Sequence, residues 1–116
     1  MKSDRLGSLR NALRIFAKDR EWDQFHSPKN LAIALSVEAA ELLEHFQWRA
    51  GNEEELDSAT REKVAEEMAD VLLYLIRLSD KLDVDLLGAA DLKMKANARK
   101  YPVEKSRGSS KKYTEL

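Results

Sequence analysis

The sequence predicts an all-α protein built from four helices. Three observations carry that expectation: turn-forming residues are scarce, with 4 Gly and 2 Pro in 116 residues; apolar residues recur at three- and four-residue steps; and two acidic steps sit inside long apolar runs. So little turn material does not suit an all-β fold, and a 43% apolar, 35% charged composition is that of a globular chain. At 13.3 kDa the chain fits one domain with a modest core.

Leu6, Leu9, Leu13 and Phe16 mark an amphipathic first helix from about Ser3 to Arg20. Ser27-Pro28 reads as an N-cap followed by proline at the first helical position, opening a second helix to about Trp48. Arg49–Asp57, with Gly51-Asn52 and three glutamates, suits an exposed connector. A third helix runs from about Ser58 to Leu82; its apolar positions Val64, Met68, Val71, Leu72, Leu75 and Ile76 are broader than one stripe, which implies burial on more than one side, as by a second subunit. Asp85 caps a fourth helix that continues to about Lys100 and ends at Tyr101-Pro102. The expected domain is 1–103, and 104–116, lacking apolar periodicity, is expected to be a flexible tail.

A formal net charge of −1 argues against a protein that coats a nucleic acid polymer. The absence of cysteine removes disulfides, a thiol nucleophile and thiolate zinc sites, and sets the cytoplasm as the expected compartment. Met1-Lys2-Ser3-Asp4-Arg5 is not followed by an apolar targeting stretch, and Val71–Ile76 is too short to span a membrane, so neither a leader nor a membrane partner is expected.

The acidic steps Glu38-Ala-Ala-Glu41 and Glu67-Met-Ala-Asp70 carry the chemistry. Three-residue spacing places both carboxylates of each step on one helix face, with Cβ atoms roughly 5–6 Å apart. None of the four has Lys or Arg as an immediate neighbour, so their charge calls for other compensation. Two facing helices would then offer four carboxylates to one point, the all-oxygen ligand set of Mg²⁺ or Mn²⁺. The competing reading is that each acid solvates a helix face. Glu44 and Glu66 are weaker candidates that point outward or act in an outer shell. A di-iron centre needs Glu-x-x-His on two helices. His45 stands four residues after Glu41, and no histidine follows Glu66 or Glu67 at that spacing, so iron is disfavoured.

Trp22 and Trp48 bracket the second helix and are candidate walls of a base-sized slot, or else core and interface anchors. His26 can face a base or pack beside the cap. Lys93 and Asn97, four residues apart, share a face near Tyr101 and can meet phosphate oxygens; equally, the basic cluster at this helix end complements the helix dipole.

Taken in order, Trp22-Asp23-Gln24-Phe25-His26-Ser27-Pro28-Lys29-Asn30-Leu31, Glu38-Ala-Ala-Glu41-Leu-Leu-Glu-His-Phe-Gln-Trp48, Glu67-Met-Ala-Asp70-Val-Leu-Leu-Tyr-Leu75 and Lys93-Met-Lys-Ala-Asn97-Ala-Arg-Lys-Tyr101-Pro102 resemble the all-α MazG-type nucleotide pyrophosphohydrolases, most closely the dCTP pyrophosphatase branch. The likeness spans about Leu9 to Val103. It implies a four-helix MazG-like subunit assembling as a dimer or tetramer. The implied reaction converts a nucleoside triphosphate, dCTP or a related or modified pyrimidine deoxynucleotide, to monophosphate and pyrophosphate. Glu38, Glu41, Glu67 and Asp70 would hold magnesium, with Glu41 and Glu38 as catalytic candidates. Trp22, His26 and Trp48 would serve the base, and Lys93, Asn97 and Tyr101 the phosphate and sugar. The alternatives are another nucleotide substrate, such as dUTP, a damaged nucleotide or a phosphoribosyl nucleotide, and a non-catalytic helical module that binds a partner helix.

Overall fold

The computed structural model describes residues 4–49 and 56–116, and every regular element among them is helical: α1 (Arg5–Asp19), α2 (Pro28–Glu44), α3 (Ser58–Lys81), α4 (Leu86–Lys100) and the short α5 (Val103–Ser106), with 3-10 turns at Asp23–Phe25 and Tyr113–Glu115. Most of the expected connector falls outside the described residues, as does Ser3. The chain divides into two compact units, the first ending at Asp83 and holding α1, α2 and α3, the second beginning at Val84 and holding α4 and α5.

Each long helix starts on a side chain that accepts from an otherwise unpaired backbone N–H. Asp4 accepts from Gly7, Ser27 from Asn30, Asp57 from Thr60 and Asp85 from Gly88. Pro28 follows its cap at the first helical position, as its fixed φ and missing N–H favour. The α2 helix stops at Glu44, four residues short of Trp48. Beyond it the backbone tightens into turns: the N–H groups of Phe46 and Gln47 both donate to the Leu43 carbonyl, and that of Arg49 to Phe46.

The end of α1 sets up the site. The Trp22 N–H donates to the Ala17 carbonyl at 2.8 Å and the Glu21 N–H to Lys18 at 3.1 Å, the paired bonds of a Schellman ending. That ending needs a left-handed residue, and here it is Glu21, with φ 55°. The turn sends Trp22 and the Asp23–Phe25 segment back along the bundle, where the Asn30 side chain donates to the Phe25 carbonyl at 2.9 Å.

In the first unit α3 packs along α2 and also against α1. Ala17, Leu31 and Ile76, one from each of these helices, are its fully buried apolar residues. A bidentate pair ties α1 to α3: Arg14 donates from Nε to Asp80 Oδ2 at 2.7 Å and from Nη2 to Oδ1 at 2.5 Å. Many large apolar side chains stay exposed, including Ile33, Val37 and Leu43 on α2 and Met68 and Leu72 on α3.

In the second unit, the expected flexible tail 104–116 takes in most of the α5 turn and the Tyr113–Glu115 turn. The Tyr113 ring packs edge-on to Tyr101, with centroids 6.2 Å apart, and lies under the Lys100 ammonium. Among the described residues no helix is long and apolar enough to cross a membrane.

Candidate active site

The two acidic steps meet across α2 and α3. Glu38, Glu67 and Asp70 each present a carboxylate oxygen, and these oxygens lie within 4.8 Å of one another. Glu41 adjoins Glu38 one helical step on, close enough to act on its ionisation. Glu44 and Glu66 are exposed, and His45 is half-buried outside the cluster.

The electrostatics of this group are those of an anion cage. The Glu38 carboxyl is pushed up to about 7, first by its closeness to Glu67, with which it favours sharing a proton, then by burial, then by Glu41. Oε2 of Glu38 and Oε2 of Glu67 are both buried without a hydrogen-bond partner. Such atoms are costly unless something outside the protein satisfies them. A hard divalent cation fits: the donors are all oxygen, two have free inward lone pairs, and the positive charge would relieve the repulsion that keeps Glu38 protonated.

Next to the acids is a cleft of about 410 Å³ between α1 and α3, walled by apolar residues of α1 and by Trp22, His26, Tyr74 and Arg77. Asp70 lines it too, so one carboxylate of the acidic group faces the cleft. The Trp22 ring stands edge-on to Phe16 at 5.6 Å and to His26 at 6.3 Å, which holds the indole upright at the cleft wall.

Behind His26 lies a charged network that the sequence reading missed. Arg77 is 6% exposed. Its Nε donates to His26 Nδ1 at 3.2 Å, its Nη2 to Asp23 Oδ1 at 2.6 Å, and its Nη1 stands 3.5 Å from Asp80 Oδ2. Lys81 also donates to Asp23 Oδ1, at 2.5 Å. Burial, then the positive charges of Arg77 and Lys81, hold the His26 imidazole below its ordinary pKa against the opposing pull of Asp23. The available signal was periodicity: Asp70, Tyr74, Arg77 and Lys81 follow one another at three- and four-residue steps on α3, so an arginine shares the face of a candidate metal ligand.

Other expected site residues lie elsewhere. Trp48 is 89% exposed, in the turns after α2, and is not among the residues lining the cleft. Lys93, Asn97 and Tyr101 belong to the second unit, where Lys93 is exposed and Asn97 and Tyr101 are half-buried. The Asn97 carbonyl accepts the Tyr101 N–H at 2.9 Å, closing α4.

Helices that bring two acidic steps together beside an aromatic cleft define a class, and comparison identifies it: the chain belongs to the MazG-like family, whose pattern it matches over residues 33–116. Among its relatives are the dCTP pyrophosphatase 1 proteins of Bos taurus and Homo sapiens, each 45% identical over 114 residues. That match covers 96% of this chain and 68% and 67% of theirs. A pyrophosphatase of solved structure from Archaeoglobus fulgidus DSM 4304 superposes with a TM-score of 0.78 at 43% identity, covering 88% of this chain and 96% of that one.

Proposed function

We propose that this enzyme hydrolyses dCTP, or a related or modified pyrimidine deoxynucleoside triphosphate, to the monophosphate and pyrophosphate, with magnesium held by Glu38, Glu41, Glu67 and Asp70. Nucleoside triphosphate pyrophosphohydrolysis is the activity that the family and the 45% identity to dCTP pyrophosphatases support. The observation that carries the reading to this site is the double membership of Asp70, which belongs both to the acidic group and to the aromatic cleft. A base in the cleft then leaves its phosphates beside the carboxylates.

When bound, magnesium supplies neutralisation of the triphosphate and a lowered pKa for a coordinated water. Manganese has a similar preference for oxygen ligands. The side chains do the rest. Trp22 offers a ring face to the base, and His26 an imidazole edge. Glu38, Glu67 and Asp70 would hold the ion. Glu41 is the group we assign as acceptor of the attacking water's proton: it adjoins Glu38 at the edge of the metal site, outside the tightest oxygen group, and so can serve a water as well as the ion. The water oxygen bonds to the α-phosphorus, the bond to the bridging oxygen breaks, and pyrophosphate leaves. Lys93, Asn97 and Tyr101 are assigned to the phosphates and sugar, and Trp48 to the base, through the motif match alone.

The same reading makes the working form a homodimer or homotetramer in the cytoplasm. Ile33 and Val37 on α2, and Met68 and Leu72 on α3, are exposed at four-residue steps, and a second copy would cover them. Incubation with a panel of ribo- and deoxynucleoside triphosphates plus magnesium tests the reaction: the expected products are pyrophosphate and dCMP from dCTP. Orthophosphate as sole product overturns attack at the α-phosphorus.

A further inference from the structure

We infer that Arg77 is a positioning residue that fixes the hydrogen-bonding sense of His26, so that the cleft offers a base an N–H donor from Nε2. The inference rests on the site reading above and concerns how that site discriminates between bases.

The argument is one of valence. A neutral imidazole carries one hydrogen on two nitrogens, and the hydrogen sits opposite the nitrogen that accepts. Arg77 has only donors, so the nitrogen it meets at 3.2 Å, Nδ1, is the acceptor and Nε2 holds the hydrogen. Protonating Nδ1 would aim an N–H at a buried cation. The lowered pKa of His26 agrees with that exclusion.

Arg77 lines the same cleft, and its guanidinium is held from three sides. Its Nε serves His26, its Nη2 serves Asp23 and its Nη1 faces Asp80. Asp80 is in turn held by Arg14 from α1, and Asp23 by Lys81. The guanidinium is therefore braced by two carboxylates, each with a second cation, with its Nε turned to His26. No described residue accepts from His26 Nε2, which leaves that donor for a ligand.

A fixed donor on the cleft wall selects among pyrimidines by their pairing edge. Cytosine and uracil both accept at O2, so the choice is made where the donor meets the ring nitrogen, and there cytosine N3 accepts. Uracil carries a hydrogen on N3, which would meet the Nε2 hydrogen head-on. Through His26, Arg77 thereby favours dCTP over dUTP.

Tautomer spectroscopy on the intact chain tests this directly. His45→Gln leaves His26 as the single histidine, and ¹⁵N–¹H spectra of histidine-labelled protein then report which ring nitrogen carries the hydrogen. The expected result at neutral pH, with no nucleotide present, is a neutral ring protonated at Nε2. Arg77→Met, similar in reach but without a donor, is expected to let the tautomers mix. It should raise KM for dCTP about tenfold with kcat within about twofold, and narrow the preference for dCTP over dUTP by about tenfold, the effect of one misdirected hydrogen bond. Arg77→Lys keeps a donor and should restore the Nε2 tautomer and most of the preference. A hydrogen on Nδ1 in the otherwise native protein overturns the inference, and this measurement needs no Arg77 variant to fold. An Arg77→Met protein with tautomer and preference both unchanged overturns it equally. Absence of turnover with either nucleotide instead defeats the functional reading, and is read separately from the spectrum.

Discussion

Glu38 of α2 and Glu67 of α3 bring their carboxylates together across the helix interface, and each keeps one buried oxygen without a partner. Two anions in that relationship repel in the bare protein and attract a shared cation. Removing the ion should therefore loosen α2 from α3.

Magnesium binding should appear as stabilisation. At tenfold excess over Kd a ligand specific to the folded state adds about 1.4 kcal/mol, which raises the melting temperature by about 5 °C for a chain of this size. Glu67→Gln should abolish the magnesium-dependent rise, and with it turnover, while helicity by circular dichroism is unchanged. A full shift in Glu67→Gln would remove Glu67 from the ligand set.

The metal-free protein should lose stability as pH rises. The Glu38 carboxyl has its pKa raised from the ordinary 4.5 to about 7 in the folded state, so between those values the folded chain binds more protons than the unfolded one. Its contribution to stability is fully present below about pH 4.5 and declines as pH climbs through 7. Melting in chelator at pH 5.5 and pH 8 should show the fall, and Glu38→Gln should flatten it. A wild-type melting temperature that rises over this interval, with no fall relative to Glu38→Gln, contradicts the assignment.

Ile76 is fully buried one position before Arg77 on α3. Ile76→Val should cost roughly 1 kcal/mol and Ile76→Ala roughly 2–5 kcal/mol, because the thin core has few neighbours to refill the space. Urea unfolding with an unchanged m-value is the check. A cost well below 1 kcal/mol for alanine would mean that the site collapses freely.

Trp22→Ala should raise KM far more than it lowers kcat, since the indole walls the cleft and touches none of the acids. Loss of a base–aromatic stack worth about 1–3 kcal/mol corresponds to about tenfold or more in KM. Steady-state kinetics with dCTP decides; a fall confined to kcat would move Trp22 out of the base site.

If α2 lies in the proposed subunit contact, Ile33→Glu on its exposed face should give a smaller species by light scattering than the native chain. An unchanged mass would leave that face outside the subunit contact.

The helical skeleton was legible because its signals are local. The Ser27-Pro28 and Asp85 starts occur as expected, and the ends of α1 and α3 fall within a residue or two of their periodic limits. The end of α2 was overrun because apolar Phe46 and Trp48 continue its pattern while the backbone has already tightened into turns. The acidic steps were legible for the same local reason, since a three-residue spacing fixes a helix face. The Arg77 network was not: His26 and Asp23 each lie more than fifty positions from Arg77, and nothing local says that an arginine in an apolar run will find two carboxylates and an imidazole. Nor did periodicity reach the last dozen residues, where Tyr113 packs by a single ring contact on Tyr101.

Glu21 ends α1 in a left-handed conformation that helices usually give to glycine, one residue before the indole that walls the cleft. A side chain in that conformation costs about 1–2 kcal/mol, yet it also narrows the rotations open to the joint. Glycine there would relieve the strain and free the joint in one stroke. Heat resistance and grip on the base therefore pull in opposite directions at this position, and a screen for hardier variants that settled on glycine at Glu21 would yield a tougher protein with a slacker hold on its substrate.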